Sequence, residues 1–390
     1  MEEVGAFTAW CASAGVWQDE RVVIAHDPAT GLGLYAAAPI DADAELLRVP
    51  QRACLSAAAC AAARPSLAPL LASLDGANAL AFAICSTPAA DLAPWAALWP
   101  RHPPGAWGMP PSLRADAAWW RELFALHEAQ EAAARRAHGA LGDAAPPWPE
   151  YARACALVAS RGVAAAAAGE ARPALAPLLD LLNHAGAGAS CAVARADDGL
   201  AVRARRRVEA GEPLTISYGA KDNAALAAGY GFAEPANPHD ALRLRVPLGG
   251  GGDALGAQRL AMLPRGVAAG AAHEPKAAWA TLSSDGLTPR LSEELRLVLA
   301  LACARETAEL FGAVGRAAAG RVGAEEWALL RACCGEAEEA LPRGAAVADG
   351  TWAPVVAAAL ASRRALLRRA AELAAEQLAE LARQEEHADA

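Results

Sequence analysis

Lysine is nearly missing from this chain. Lys221 and Lys276 are its lysines, and arginine supplies the rest of 35 basic residues, set against 44 acidic ones and a net charge of -9. That balance lacks the basic stripe that tracks a phosphate backbone. It excludes nucleic acid as the expected partner and suits a basic protein surface better. GC-rich coding accounts for the bias toward arginine and alanine. Also lacking is any Cys-x-x-Cys or paired Cys/His spacing among Cys11, Cys54, Cys60, Cys85, Cys155, Cys191, Cys303, Cys333 and Cys334. No metal site is expected from such a scatter. The cysteines fit buried or free thiols in a reducing, intracellular compartment. The adjacent Cys333 and Cys334 read as helix positions that accept small apolar side chains. No apolar run approaches membrane-spanning length, so no membrane association is expected. The start, Met1-Glu2-Glu3, shows neither the basic-then-apolar pattern of a secretory leader nor the Arg- and Ser-rich, acid-poor pattern of a transit peptide.

What is present is a chain of 390 residues, 55% hydrophobic, with much of that alanine. The length suits two domains. Residues 5–17 read as a helix with Phe7, Trp10 and Cys11 on one side and Trp17 near its end. Strands follow at Val22 to Ile24, Leu34 to Ala37, and Glu45 to Val49, where Pro50 stops the run. Between the first two lies a turn from His26 to Gly33. Gly31 and Gly33 allow positive φ and a close backbone approach to a ligand. On the local string alone, a plain hairpin turn is the better reading. Residues 54–160 change to Ala/Leu-rich helices broken by Pro65, Pro88, Pro94, Pro100, Pro103-Pro104, Pro110-Pro111 and Pro146-Pro147. Trp95, Trp99, Trp107, Trp119, Trp120 and Trp148 cluster here and read as helix-packing residues. A helix over 150–161 is expected to continue or fray through Ala164 to Ala168.

Residues 190–218 return to strands, with a hairpin turn at Asp197-Asp198-Gly199 and a last strand from Pro213 to Ser217. Beyond Pro238 the pattern is mostly helical. Gly249 to Gly252 marks a joint. Ser292 caps a helix that runs to 311 and ends at Gly312. Further helices fit 324–340 and 354–386, the last a packing helix of a small bundle. The stretch that organises the rest is Asp180 to Phe232. An apolar segment carries Asn183 and His184 to its end, and a later strand carries Tyr218 to its own end. Those ends can meet at one site. Taken singly, His184, Tyr230 and Arg161 read as ordinary structural residues.

The joint pattern resembles a SET-domain methyltransferase, of the Rubisco large-subunit methyltransferase-like subgroup. Gly31-Leu32-Gly33-Leu34-Tyr35 through Val49-Pro50 is similar to the opening motif of that subgroup. Trp95-Ala96-Ala97-Leu98-Trp99-Pro100 resembles its Trp-rich segment, and Ser160-Arg161 its Ser-Arg. Asp180-Leu181-Leu182-Asn183-His184 matches closely, as does Ile216-Ser217-Tyr218-Gly219 to Asn223, closing on Tyr230-Gly231-Phe232. The resemblance spans roughly 20–240. It implies an α+β fold of small, knot-like sheets with a helical insert at about 54–160, followed by an all-α substrate-binding lobe over 241–390. It also implies S-adenosylmethionine as cofactor and a protein lysine side chain as substrate, on a non-histone protein. Gly31 and Leu32 would then present backbone groups to the cofactor, and Arg161 would face its carboxylate. Asn183 and His184 would hold its amino group and adenine, with Phe232 near the adenine. Tyr218 would be the catalytic tyrosine, and Asp180 and Tyr230 would line the substrate side.

The sequence departs from the subgroup in places. Thr30 stands where Glu is frequent, Ala185 where Ser is usual, and polyalanine follows Arg161 in place of a more polar segment. The cysteine-rich zinc tail of many histone-directed relatives is missing. Alternatives left open are protein-histidine N-methylation and a SET-like binding scaffold without turnover; Tyr218, Asn183 and His184 argue against the scaffold. The resemblance allows a chloroplast location, with the cytoplasm otherwise.

Overall fold

The computed structural model describes residues 2–100, 105–109, 120–167, 170–186, 188–249, 254–264, 277–286, 288–342 and 352–388. Pro103, Pro104, Pro110, Pro111, Trp119, Ala168, Gly250 to Gly252 and Lys276 lie outside them. The chain divides into two compact units. One comprises Met1–Met109, Leu123–Ala220 and Ala227–Gly231, and the other Pro110–Glu122, Lys221–Leu226 and Phe232–Ala390.

Along the chain to residue 220 the order is α1 (Glu2–Ser13), β1 (Trp17–Gln18), β2 (Val22–Asp27), β3 (Gly31–Ala36), β4 (Glu45–Pro50), β5 (Leu55–Ser56), α2 (Ala57–Ala63), α3 (Ala68–Ser73), α4 (Gly76–Ser86), α5 (Ala89–Ala96), α6 (Arg121–Ala140), α7 (Trp148–Arg161), β6 (Val163–Ala167), β7 (Glu170–Leu175), β8 (Asn183–His184), β9 (Cys191–Ala196), β10 (Gly199–Ala204) and β11 (Pro213–Ile216). The strands form small sheets in the orders β1-β4-β10-β9, β2-β3-β11-β8 and β5-β7-β6. This is the α+β arrangement expected, with helices α2 to α7 inserted between short strands. Leu200, Ala201, Val202 and Ala204 of β10 are buried, and Arg203 is exposed. Leu46, Leu47 and Val49 of β4 and Leu80, Ala81 and Ala83 of α4 are also fully buried. Burying side chains of leucine size is worth about 1.5–3 kcal/mol each relative to exposure. Trp95, Trp99 and Trp120 are buried too, as packing residues should be.

The strand pairing that matters for the site is in the second sheet. There β8 runs parallel to β11, with Asn183 opposite Thr215 and His184 opposite Ile216. The other edge of β11 pairs antiparallel with β3, Leu214 opposite Leu34. Strands β2 and β3 form the hairpin read from the sequence, closing with Asp27 opposite Gly31. The Asp27 carboxylate accepts from the N–H groups of Ala29 (2.7 Å) and Thr30 (3.0 Å), which fixes the turn.

Some local expectations fail. The N-terminal helix ends at Ser13, and Trp17 opens β1 instead of closing the helix. The alanine run after Arg161 does not extend α7. It forms β6, antiparallel to β7, because α7 stops at Gly162 in extended geometry and β7 offers a ladder. Pairing there overrides the helix propensity of alanine.

The second unit contains β12 (Ala241–Pro247), α9 (Ala254–Ala261), β13 (Ala277–Asp285), β14 (Thr288–Leu291), α10 (Glu293–Cys303), α11 (Thr307–Ala318), α12 (Ala324–Ala340) and α13 (Ala353–Ala388). A further helix, α8 (Asn223–Tyr230), belongs partly to each unit. The C-terminal region is helical from Glu293 onward, but it is not all-α. It opens with a three-stranded antiparallel sheet, β12-β13-β14. Leu242, Leu244 and Val246 of β12 are buried while Arg243 and Arg245 alternate between them. The single helix expected over 292–311 is also two helices. Ala304 is extended, and the buried Arg259 guanidinium donates to the carbonyls of Leu301 (2.9 Å) and Leu248 (2.7 Å) and Ala304 (2.6 Å). The bonds to Leu301 and Ala304 satisfy carbonyls that the end of α10 leaves open. Gly312 sits inside α11 and terminates nothing.

Candidate active site

The parallel β8/β11 pair delivers Asn183, His184 and Tyr218 to one sheet end. Strand β8 is short because Leu178 (φ 66°) turns the chain into a tight helical turn over Leu179–Leu181, which then feeds Asn183. The Asn183 side chain donates from Nδ2 to the Leu32 carbonyl at 3.3 Å. Gly33 makes that possible: a Cβ there would lie 2.7 Å from Asn183 Nδ2. Gly31 differs. Its φ is +78° and a Cβ would meet nothing within 4 Å, so this side of the turn is open.

Tyr218 is fixed at several points. Its backbone N–H donates to His184 Nδ1 at 3.0 Å, which leaves the proton of a neutral imidazole on Nε2. Its hydroxyl donates to the Leu182 carbonyl at 2.9 Å. Its ring lies against His184 (centroids 5.0 Å apart) and stacks on Tyr230 (4.6 Å, 26° between planes). Burial pushes the Tyr218 hydroxyl well above the ordinary phenol value; Tyr230 and Asp180 add to the rise, and Arg161 opposes it. Burial raises Tyr230 as well. Both are neutral phenols at physiological pH.

Arg161, at the end of α7, donates to the backbone carbonyl of Asp180 at 2.7 Å. The same guanidinium nitrogen lies 3.6 Å from Asp180 Oδ2. Asp180 does not line a substrate surface as expected. Its side chain is 0% exposed, and Oδ2 accepts from Trp95 Nε1 at 3.0 Å. Burial raises its pKa, while Arg161 and then Trp95 pull it down. The apolar run Leu178, Leu179, Leu181 and Leu182, all buried, draws Asp180 inward with it. Phe232 is half-buried in the second unit. Gly31, Leu32, Asn183, His184, Arg161, Asp180, Tyr218 and Tyr230 all belong to the first. The sequence reading missed the Leu182 carbonyl, which carries no side-chain signal, and the bond from Trp95 to Asp180. The Trp-rich segment was visible, but its polar edge was not.

Among the described residues no group of three or more His, Cys, Asp or Glu is placed to hold a metal ion, and no helix is long and apolar enough to cross a membrane.

Comparison with known proteins places this geometry. Residues 31–219 match the SET domain family. That stretch is a SET domain, and the chain has the α+β fold of the Rubisco LSMT-like type. A structure of Rubisco LSMT bound to AdoMet is 17% identical, with a TM-score of 0.68 over 97% of this chain and 93% of that one. The SET domain of LSMT bound to lysine and AdoHcy is 18% identical, with a TM-score of 0.66 over 97% of this chain and 92% of that one. Rubisco LSMT bound to sinefungin and monomethyllysine is 18% identical, with a TM-score of 0.67 over 98% and 93%. Among curated proteins, none matches the sequence.

Proposed function

We propose that this protein is an S-adenosylmethionine-dependent protein-lysine N-methyltransferase acting on a non-histone protein. The observation that carries the reading is Tyr218: a neutral tyrosine anchored through its hydroxyl to Leu182 and through its N–H to His184, beside the Asn183–Leu32 contact. The structural neighbours bound to lysine or monomethyllysine and to AdoHcy or sinefungin support the same chemistry.

The residues fit the cofactor. The open face at Gly31 leaves the Gly31-Leu32 backbone accessible, and Asn183 donates to the Leu32 carbonyl beside it. When bound, S-adenosylmethionine supplies an electrophilic methyl on a sulfonium. Gly31 and Leu32 present backbone groups to it, Arg161 faces its carboxylate, and Asn183 and His184 hold its amino group and adenine. Residues 241–390 carry the protein substrate. A lysine amine with its ordinary pKa of ~10.4 arrives charged. An apolar channel beside a cation lowers that value by desolvation and repulsion. Burial favours the protonated form of Tyr218, which acts as a neutral phenol. With that proton directed at Leu182, its oxygen meets any further partner as an acceptor. It therefore orients an amine N–H and so aims the nitrogen lone pair for in-line displacement. Tyr230, stacked on it, forms a wall.

The test is incubation with methyl-labelled S-adenosylmethionine and a lysate depleted of methylation, followed by mapping of the modified residue. Labelled lysine in a non-histone protein is expected. Labelled histidine would move the reading to histidine methylation, and no label beyond background would point to a scaffold.

A further inference from the structure

Asp180, Trp95 and Arg161 come from separate segments, yet their side chains meet at one buried point. The Asp180 carboxylate touches no solvent and so cannot contact a ligand. Its Oδ2 receives the Trp95 indole N–H at 3.0 Å. Trp95 is itself wedged between Trp10 (centroids 5.7 Å) and Trp99 (5.8 Å, edge-on), so the indole cannot swing away. Arg161 hydrogen-bonds the backbone oxygen of the same residue at 2.7 Å and pairs with its carboxylate at 3.6 Å. The Arg161 side chain is 19% exposed, so part of it remains accessible.

The carboxylate is a poor choice for stability alone. Its Oδ1 is buried with no hydrogen-bond partner among the described residues. Burying a charge with an orphaned oxygen is unfavourable, and an apolar residue of like size often does as well or better. What a carboxylate adds over such a residue is a charge that attracts the guanidinium 3.6 Å away.

We infer that Asp180, locked by Trp95, is a positioning residue that sets the orientation in which Arg161 meets the carboxylate end of the bound cofactor. Neither Asp180 nor Trp95 touches cofactor or substrate; both act through Arg161. The inference rests on the methyltransferase reading and deepens it.

The test uses two ligands that share adenosine and sulfur. S-adenosylhomocysteine carries the amino-acid carboxylate; 5′-methylthioadenosine lacks it. Their dissociation constants are measured by calorimetry for the wild type, Trp95→Phe and Asp180→Asn. Trp95→Phe removes the indole N–H and keeps an aromatic ring in the Trp10–Trp99 stack. Both variants should weaken S-adenosylhomocysteine roughly tenfold, through the changed setting of Arg161, and leave 5′-methylthioadenosine within about twofold. Arg161→Ala sets the scale, and adding Asp180→Asn to it should change nothing further. Equal weakening of both ligands would assign the pair a merely structural role and overturn the inference. So would a lowered melting temperature with an unchanged ratio of the two constants. If Asp180→Asn fails to fold, Trp95→Phe alone decides. A wild type that binds neither ligand would remove the methyltransferase reading itself. A wild type that binds both, with variants that preserve the ratio, would remove only the role of Asp180 and Trp95.

Discussion

Two buried aspartates, one in each unit, are satisfied in different ways. Asp240, in the second unit, accepts from the N–H groups of Asn223 and Ala241, each at 3.0 Å, and from Asn223 Nδ2 at 3.0 Å. Asn223 in turn accepts the Glu234 N–H at 2.8 Å and donates to the Glu234 carbonyl at 2.9 Å. Each oxygen of Asp240 has a donor, and the network ties the chain between 221 and 241 into one closed turn. Asp180 has an indole, a guanidinium and an oxygen without a partner among the described residues. Asp240 is placed to hold the backbone together. Asp180 holds a cation that reaches toward solvent. Of the two, the incompletely satisfied carboxylate is the one beside the site.

The largest expected effect sharpens that contrast. Asp240→Asn puts an amide donor against Asn223 or Ala241 and should lower unfolding free energy by about 2–4 kcal/mol. Asp180→Asn removes a buried charge and should cost less than about 1 kcal/mol. Urea midpoints of the two variants decide, and equal losses would break the comparison. Next in size, Asn183→Ala should weaken S-adenosylhomocysteine about tenfold or more and shrink its thermal shift accordingly. A full thermal shift in that variant would take Asn183 out of the cofactor site.

A smaller effect lies in pH. Burial raises the folded-state pKa of Asp180 above the unfolded value of ~3.9. The folded protein therefore binds this proton more tightly than the unfolded chain does. Wild-type stability relative to Asp180→Asn should be lowest at neutral pH. It should rise as pH falls through the folded-state value and level off below ~3.9. A difference that stays flat with pH would show that the carboxylate is not perturbed. The smallest effect is at Tyr230. Tyr230→Phe keeps the stack on Tyr218 and should alter the number of methyl groups added more than the first transfer, as read by mass spectrometry of the product.

Much of the site was legible because its parts are strings with fixed ends. Asn183-His184 forms β8 and Tyr218 follows β11 by two residues, and the parallel pairing of those strands brings them to one end. The Gly31 to Gly33 turn was legible as a hairpin, which it is, and its face at Gly31 is open. Asp180 was assigned to the substrate side by the family resemblance, and its side chain is instead buried. The four leucines around it, at 178, 179, 181 and 182, bury it, and Trp95, far away in sequence, completes it. The sheet at 241–291 was written in the alternation of Leu242, Leu244 and Val246, but the helical character of the following region overshadowed it. The break at Ala304 had no local signal, since the residue that makes it is Arg259. Polyalanine at 164–167 shows the same limit: propensity favours a helix, and only the partner strand makes it a sheet.

The central claim is that Tyr218 orients the incoming amine. Tyr218→Phe removes the oxygen alone and keeps the ring between His184 and Tyr230. The measurement is single-turnover methyl transfer, cofactor saturating, to the protein that the wild type labels in a methylation-depleted lysate, with the S-adenosylhomocysteine dissociation constant taken in parallel. The account predicts a dissociation constant within about twofold of wild type and a transfer rate lower by roughly tenfold or more, the loss of one transition-state contact. An unchanged transfer rate in Tyr218→Phe would contradict it.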